Sequence, residues 1–163
     1  MSDRVLMILT LLAAVGSGVV GGAFFAFSTF VMKALARLAP AQGIAAMQSI
    51  NIVVINVWFM AAMFGTAALC TSLSVWAMLN WQRPIAPYLL AGGLLYVIGT
   101  AVLTIVFHVP RNDALAVVDP ASAGAAEHWA RYVRSWTLGN HVRTAAAVAA
   151  AVVFMMALVR RVS

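Results

Sequence analysis

The sequence predicts an all-α integral membrane protein, a bundle of four transmembrane helices, and three observations carry that prediction. Of the 163 residues, 64% are hydrophobic and only 9% charged, where a soluble domain carries about 25% charged residues. The mean hydropathy is +1.00. The charges are also confined: no Asp, Glu, Lys or Arg falls between Arg4 and Lys33, Arg37 and Arg83, Arg83 and Arg111, or Arg143 and Arg160. A helix needs about 20 apolar residues to cross a hydrocarbon core about 30 Å thick. Four gaps therefore predict four spans, at about 5–32, 44–79, 87–109 and 136–159, in a single domain surrounded by lipid bilayer.

The first span carries Gly18 and Gly22 four residues apart, a spacing that lets helix backbones approach closely in lipid. It predicts helix–helix packing, with a glycine-lined ligand channel as the alternative; a homo-oligomer stays open as an assembly of the chain. The same helix ends in Phe24, Phe25, Phe27 and Phe30, read as packing residues. Pro40 is placed to start the next helix. The stretch that follows, with Gln42, Gln48, Ser49, Asn51 and Asn56, is mildly polar before the apolar run from Val57 to Leu79. As one helix it would be about 58 Å long, so its polar start is expected beyond or at the surface of the lipid. Cys70, the lone cysteine, reads as a buried packing residue.

Trp76 and Trp81 flank a turn holding Arg83 and Pro84, as aromatic residues do at a membrane interface. The third span is expected to stop at Pro110, because the residue before a proline resists helical geometry. A long loop then holds Asp113 and Asp119, and an amphipathic stretch from His128 to Thr144 feeds the fourth span. With four spans both termini share one side. The arginines at 160 and 161 favour cytoplasmic termini, and a bacterial inner membrane is the expected location.

The formal charge of +6 does not signal nucleic-acid binding. That function needs a basic stripe on a solvated face, whereas these arginines stand singly or in pairs at the ends of apolar runs.

Trp129, Tyr132, Trp136, Asn140 and Arg143 follow one another at steps of three and four residues, which places them on one helical stripe. An interfacial aromatic belt explains the rings but not Asn140 and Arg143. Arg143 either snorkels back to the headgroups or faces the bundle interior and pairs there. His141 lies about 100° off the stripe. His108, His128 and His141 are scattered singly and lack the spacing of a metal site; two of them on separate helices are the remaining route to haem ligation. The topology collects Lys33, Gln48, Asn51, His108, Asn112, Asn140, His141 and Arg143 near one membrane face, a usual place for a ligand pocket between helices.

The run from Gly22 to Met32, GAFFAFSTFVM, followed by AMQSIN from Ala46 to Asn51, resembles the small membrane proteins of the anthrone oxygenase-like family. So do VPRN from Val109 to Asn112 and the pattern Trp129, Trp136, Asn140-His141-x-Arg143-Thr144. One departure is His108, directly before VPRN, where a variable or asparagine-like residue is expected. The resemblance implies oxidation of an anthrone, another polycyclic phenol or a quinol by dioxygen without an added cofactor. It casts His141 as base and Arg143 as oxyanion partner, with Trp129, Tyr132 and Trp136 as walls around a small aromatic molecule. Asn51, Asn112 and Asn140 would orient its oxygens, and His108 would complete the binding set. Two rival readings stay open: a non-catalytic membrane partner subunit, and an electron-transfer protein that binds haem or quinone.

Overall fold

The computed structural model describes residues 2–162, with side chains as far as Arg160. Among them there is no strand. Four helices are long and apolar enough to cross a membrane: α1 (Asp3–Leu35), α3 (Val57–Leu79), α4 (Ala86–Ala116) and α5 (Ala125–Val162). A shorter helix, α2 (Pro40–Val53), joins the first two spans. The chain is an all-α integral membrane bundle in which α5 packs along α1 and α4, while α3 closes the ring between them.

The buried positions of α1 as far as Ala26 are Leu6, Thr10, Ala13, Ala14, Ser17, Val20, Gly21 and Phe24, recurring at steps of one to four residues along one face. Opposite them α5 turns in Ala146, Ala147, Ala150, Phe154 and Ala157. Small residues on both sides let the backbones come together, which is how helices gain packing energy in lipid. A Cβ on Gly21 would stand 3.3 Å from the Ala147 methyl, and one on Gly92 would meet the Phe154 ring at 3.0 Å. Gly18 and Gly22 are not part of this seam. Both face open space on the outside of α1, because the inward stripe runs through Ser17 and Gly21 instead. Cys70 is buried as expected.

The termini meet the α3–α4 turn at one end. Arg83 pairs with Asp3 at 2.6 Å, and the Arg160 guanidinium lies 5.9 Å from the Tyr88 ring centroid. At the other end α2 rests on α5, where a Cβ on Gly43 would fall 2.7 Å from Trp129. Gln48 clips α2 to the end of α4 by donating to Leu115 O at 2.9 Å and Val118 O at 3.0 Å.

Two expected boundaries differ. The helix expected over 44–79 is broken at Asn56, whose backbone is extended and whose side chain caps the start of α3. The third span does not stop at Pro110 but continues to Ala116. A π-helical turn over Thr104–His108 widens the helix just ahead of the proline, and the Arg111 guanidinium donates to Phe107 O at 2.8 Å. Spare carbonyls around a proline are tolerated in a span when side chains satisfy them. The connection shrinks accordingly to residues 117–124, which keep Asp119, while Asp113 falls on α4.

Candidate functional site

Three spans carry π-helical turns towards the end of the bundle away from the termini: Phe27–Val31 in α1, Ala61–Gly65 in α3 and Thr104–His108 in α4. Such turns interrupt the regular hydrogen-bond ladder and are frequent at functional sites. Between these three helices, α2 and α5 lies a cavity of about 100 Å³, smaller than the usual small-molecule site of about 300–1,000 Å³, so a ring-bearing ligand has to displace side chains at its mouth. Its polar lining is Asn51, Asn112 and Arg143, and Trp136 forms part of the wall. Phe24 and Phe27, expected only to pack, line it as well.

Trp129, Tyr132, Trp136, Asn140 and Arg143 are all buried along one side of α5. Trp129 and Tyr132 stack with centroids 5.8 Å apart, and Tyr132 continues the stack to Trp136 at 6.4 Å. Asn112 ties the stack to α4. Its Oδ1 accepts from the Tyr132 hydroxyl at 2.9 Å and from Trp136 Nε1 at 3.0 Å. An indole nitrogen only donates, which fixes the carbonyl end of Asn112 towards the rings. Asn51 Nδ2 is buried close to Tyr132 but outside hydrogen-bonding geometry. The Trp129 indole N–H is also buried without an acceptor.

Arg143 is 4% exposed and does not snorkel. Nη2 donates to Asn140 Oδ1 at 2.8 Å and Nη1 to Thr104 Oγ1 at 3.2 Å, while Nε has no acceptor. Its guanidinium carbon sits 4.1 Å from the Phe24 ring centroid and 5.1 Å from that of Trp136. Asn140 is held in turn by donating to Phe24 O and Ser28 Oγ, both at 2.8 Å. Ser28 Oγ and Thr144 Oγ1 are 3.0 Å apart, which extends the network. All of these partners are neutral. The ion pairs found among the described residues are Asp3–Arg83 and Glu127–Arg131, both exposed. A cation thus stands beside a cavity with no carboxylate paired to it among the described residues.

The histidines separate. His108 is 1% exposed, its ring edge-on to Trp136 with centroids 5.1 Å apart. Nε2 faces the backbone of Gly139, and neither ring nitrogen reaches hydrogen-bond geometry. It stands behind the wall rather than in the cavity. His141 is exposed on the outer face of α5 beside Lys33, Arg134 and Leu138, away from Arg143. The base role that the resemblance implied for it has no geometric support, because one residue along a helix turns a side chain by about 100°. His128 is exposed too. No group of three or more His, Cys, Asp or Glu side chains gathers among the described residues.

Sequence reasoning missed Thr104, Ser28 and Phe24, which hold Arg143 and Asn140 in place. A signal existed for Thr104: it lies four residues before His108, on the same face of a helix.

No curated protein and no solved structure matches the chain. The sequence profile described as anthrone oxygenase matches residues 55–153, from just before α3 through most of α5. The matched stretch includes Thr104, Asn112, Trp136, Asn140 and Arg143, while α1 and Asn51 lie outside it. With more than half its length under that profile, the chain belongs to the anthrone oxygenase family.

Proposed function

We propose that the cavity binds a flat, oxygen-bearing aromatic molecule, an anthrone or a comparably acidic polycyclic phenol or quinol, and promotes its oxidation by dioxygen. The observation that carries this reading is Arg143, a buried cation beside the cavity whose partners are all neutral. A cation at such a depth usually pairs with something, and here an anionic oxygen of the ligand is the missing partner. Two residues that line the cavity also carry buried donors left unpaired. Asn51 Nδ2 and Arg143 Nε are donors without acceptors, so the site asks its ligand for oxygens rather than for N–H groups.

The chemistry follows from that polarity. An anthrone has a methylene made acidic by two aromatic rings and a conjugated ketone. Losing one of its protons to solvent gives a delocalised anion whose charge rests largely on oxygen. A preorganised cation stabilises that charge as it develops. The anion then passes an electron to dioxygen, the two radicals combine to a peroxide anion at the former methylene that takes a proton back from solvent, and loss of water from this hydroperoxide leaves the second carbonyl. One anthrone and one dioxygen give one anthraquinone and one water. Phe24, Phe27 and Trp136 supply flat walls, and Asn112 holds the tryptophan in place. This reading calls for no cofactor, and it keeps the termini on the cytoplasmic side of a bacterial inner membrane, on the strength of the arginines that end α5.

The test is oxygen uptake by purified protein in detergent, given an anthrone and, separately, a hydroquinone. Matched oxygen loss and quinone formation, above the rate without protein, is the expected result. A Soret band accompanying turnover would favour the haem reading. Absence of uptake with every electron-rich phenol tried would refute the oxygenase reading.

A further inference from the structure

The break between α2 and α3 is built in an unusual way. Asn56 joins both helix ends with one side chain. Its Nδ2 donates to Val53 O at 3.0 Å and Val54 O at 3.4 Å, and its Oδ1 accepts from Trp58 N at 3.1 Å and Phe59 N at 3.0 Å. The amides of Val54, Ile55 and Asn56 find carbonyls within the same elbow. Backbone that leaves helical geometry needs this internal satisfaction where water is absent; in water it would be optional.

The side chains around it suit the same surroundings. Ile52, Val53, Ile55, Val57 and Trp58 are between 66 and 83% exposed, and the nearest charges in sequence are Arg37 and Arg83. A contiguous apolar patch of this kind seldom faces water. It is continuous with the outer face of α3, the surface that lipid covers on a spanning helix. The inner side of the same elbow lines the cavity, through Ile50, Asn51, Val54 and Phe59, opposite Ala23 and Phe27 of α1.

We propose that the elbow is immersed in the acyl region of the bilayer and that the cavity is filled sideways from lipid, past Val54 and Phe59. The substrate class is then a lipid-dissolved aromatic, apolar enough to partition into the membrane, carrying oxygen acceptors that reach Asn51 and Arg143. The nature of the ligand rests on the reading of Arg143 given above; the position of the elbow does not.

Two measurements on the full chain in phosphatidylcholine vesicles test this. In the first, fluorescence is quenched by lipids brominated on their acyl chains or by aqueous iodide, and Trp58→Phe isolates the contribution of Trp58. Bromolipid should quench Trp58 strongly and iodide weakly; the reverse order overturns the immersion. In the second, a coloured hydroxyanthraquinone is the binding probe. Val54→Trp should slow both its association and its dissociation at least tenfold, with Val54→Phe as the smaller obstruction should the indole prevent folding. Unchanged rates in whichever of these variants folds overturn the lateral route. Arg143→Met should instead weaken affinity at least tenfold with association unaltered. Failure of that arm alone removes the Arg143 reading and leaves the elbow result standing.

Discussion

Replacing Arg143 by methionine separates the stability of the bundle from the chemistry of the cavity. The guanidinium makes one good hydrogen bond, to Asn140 at 2.8 Å, and one longer one, to Thr104 at 3.2 Å. Hydrogen bonds to charged groups contribute about 1.5–3 kcal/mol each, and the long one belongs at the low end, so about 3–4 kcal/mol is lost. Against this, a charge held within a span costs about 2.5–3.5 kcal/mol on insertion scales, and methionine removes that cost while keeping most of the apolar stem. The two nearly cancel, so thermal unfolding in detergent should change little. Turnover should not be spared. Removing one oxyanion donor typically costs about 100-fold or more in rate. Because Asn51 and Asn112 remain at the cavity, the expected loss is at least about tenfold, or 1.4 kcal/mol. Oxygen uptake with an anthrone, followed together with quinone absorbance, measures it. A variant that folds, keeps full turnover and binds the product as before would refute the reasoning, and Arg143 would then be a packing cation only.

Three further outcomes follow from the geometry. Asn112→Leu strands the Tyr132 hydroxyl and the Trp136 indole N–H; at about 1–3 kcal/mol for each unsatisfied buried group, the midpoint of denaturation should fall clearly, with binding of an aromatic probe weakened. His141→Leu, on the outer face, should keep turnover within about twofold of the parent, and a tenfold loss would return His141 to the mechanism. Cysteines placed at Ser2, Arg83 and Val162 in a Cys70→Ser background should all label from the same side of the membrane, as the Asp3–Arg83 and Tyr88–Arg160 contacts require; a split pattern would contradict the topology.

Local sequence settles the number of spans and the stripe, but not the span limits at Asn56 and Pro110. Hydropathy and confined charge are sums over local residues, and lipid punishes a misplaced charge so heavily that four charge-free runs leave little choice of fold. The steps of three and four residues from Trp129 to Arg143 likewise put those side chains on one face in any α-helix, and the structure buries all five. What lies across from a stripe is not a local property. That Arg143 meets Thr104 and Phe24, and that Asn112 rather than Asn51 takes the tyrosine and tryptophan protons, depends on how α1 and α4 are rotated about their own axes. Small residues set that rotation. Both Gly18–Gly22 and Ser17–Gly21 have the spacing for close packing, and only the assembled bundle selects the second. The π-helical turns are equally invisible in sequence; in one of them, over Ala61–Gly65, the Met63 carbonyl accepts from the Tyr96 hydroxyl of another helix. Another shifts the effect of Pro110, which the local rule reads as a stop and the bundle tolerates within a continuous span. His141 marks the same division: its residue type suited a base, but only the packing of α5 turned it outward and placed His108 behind the wall.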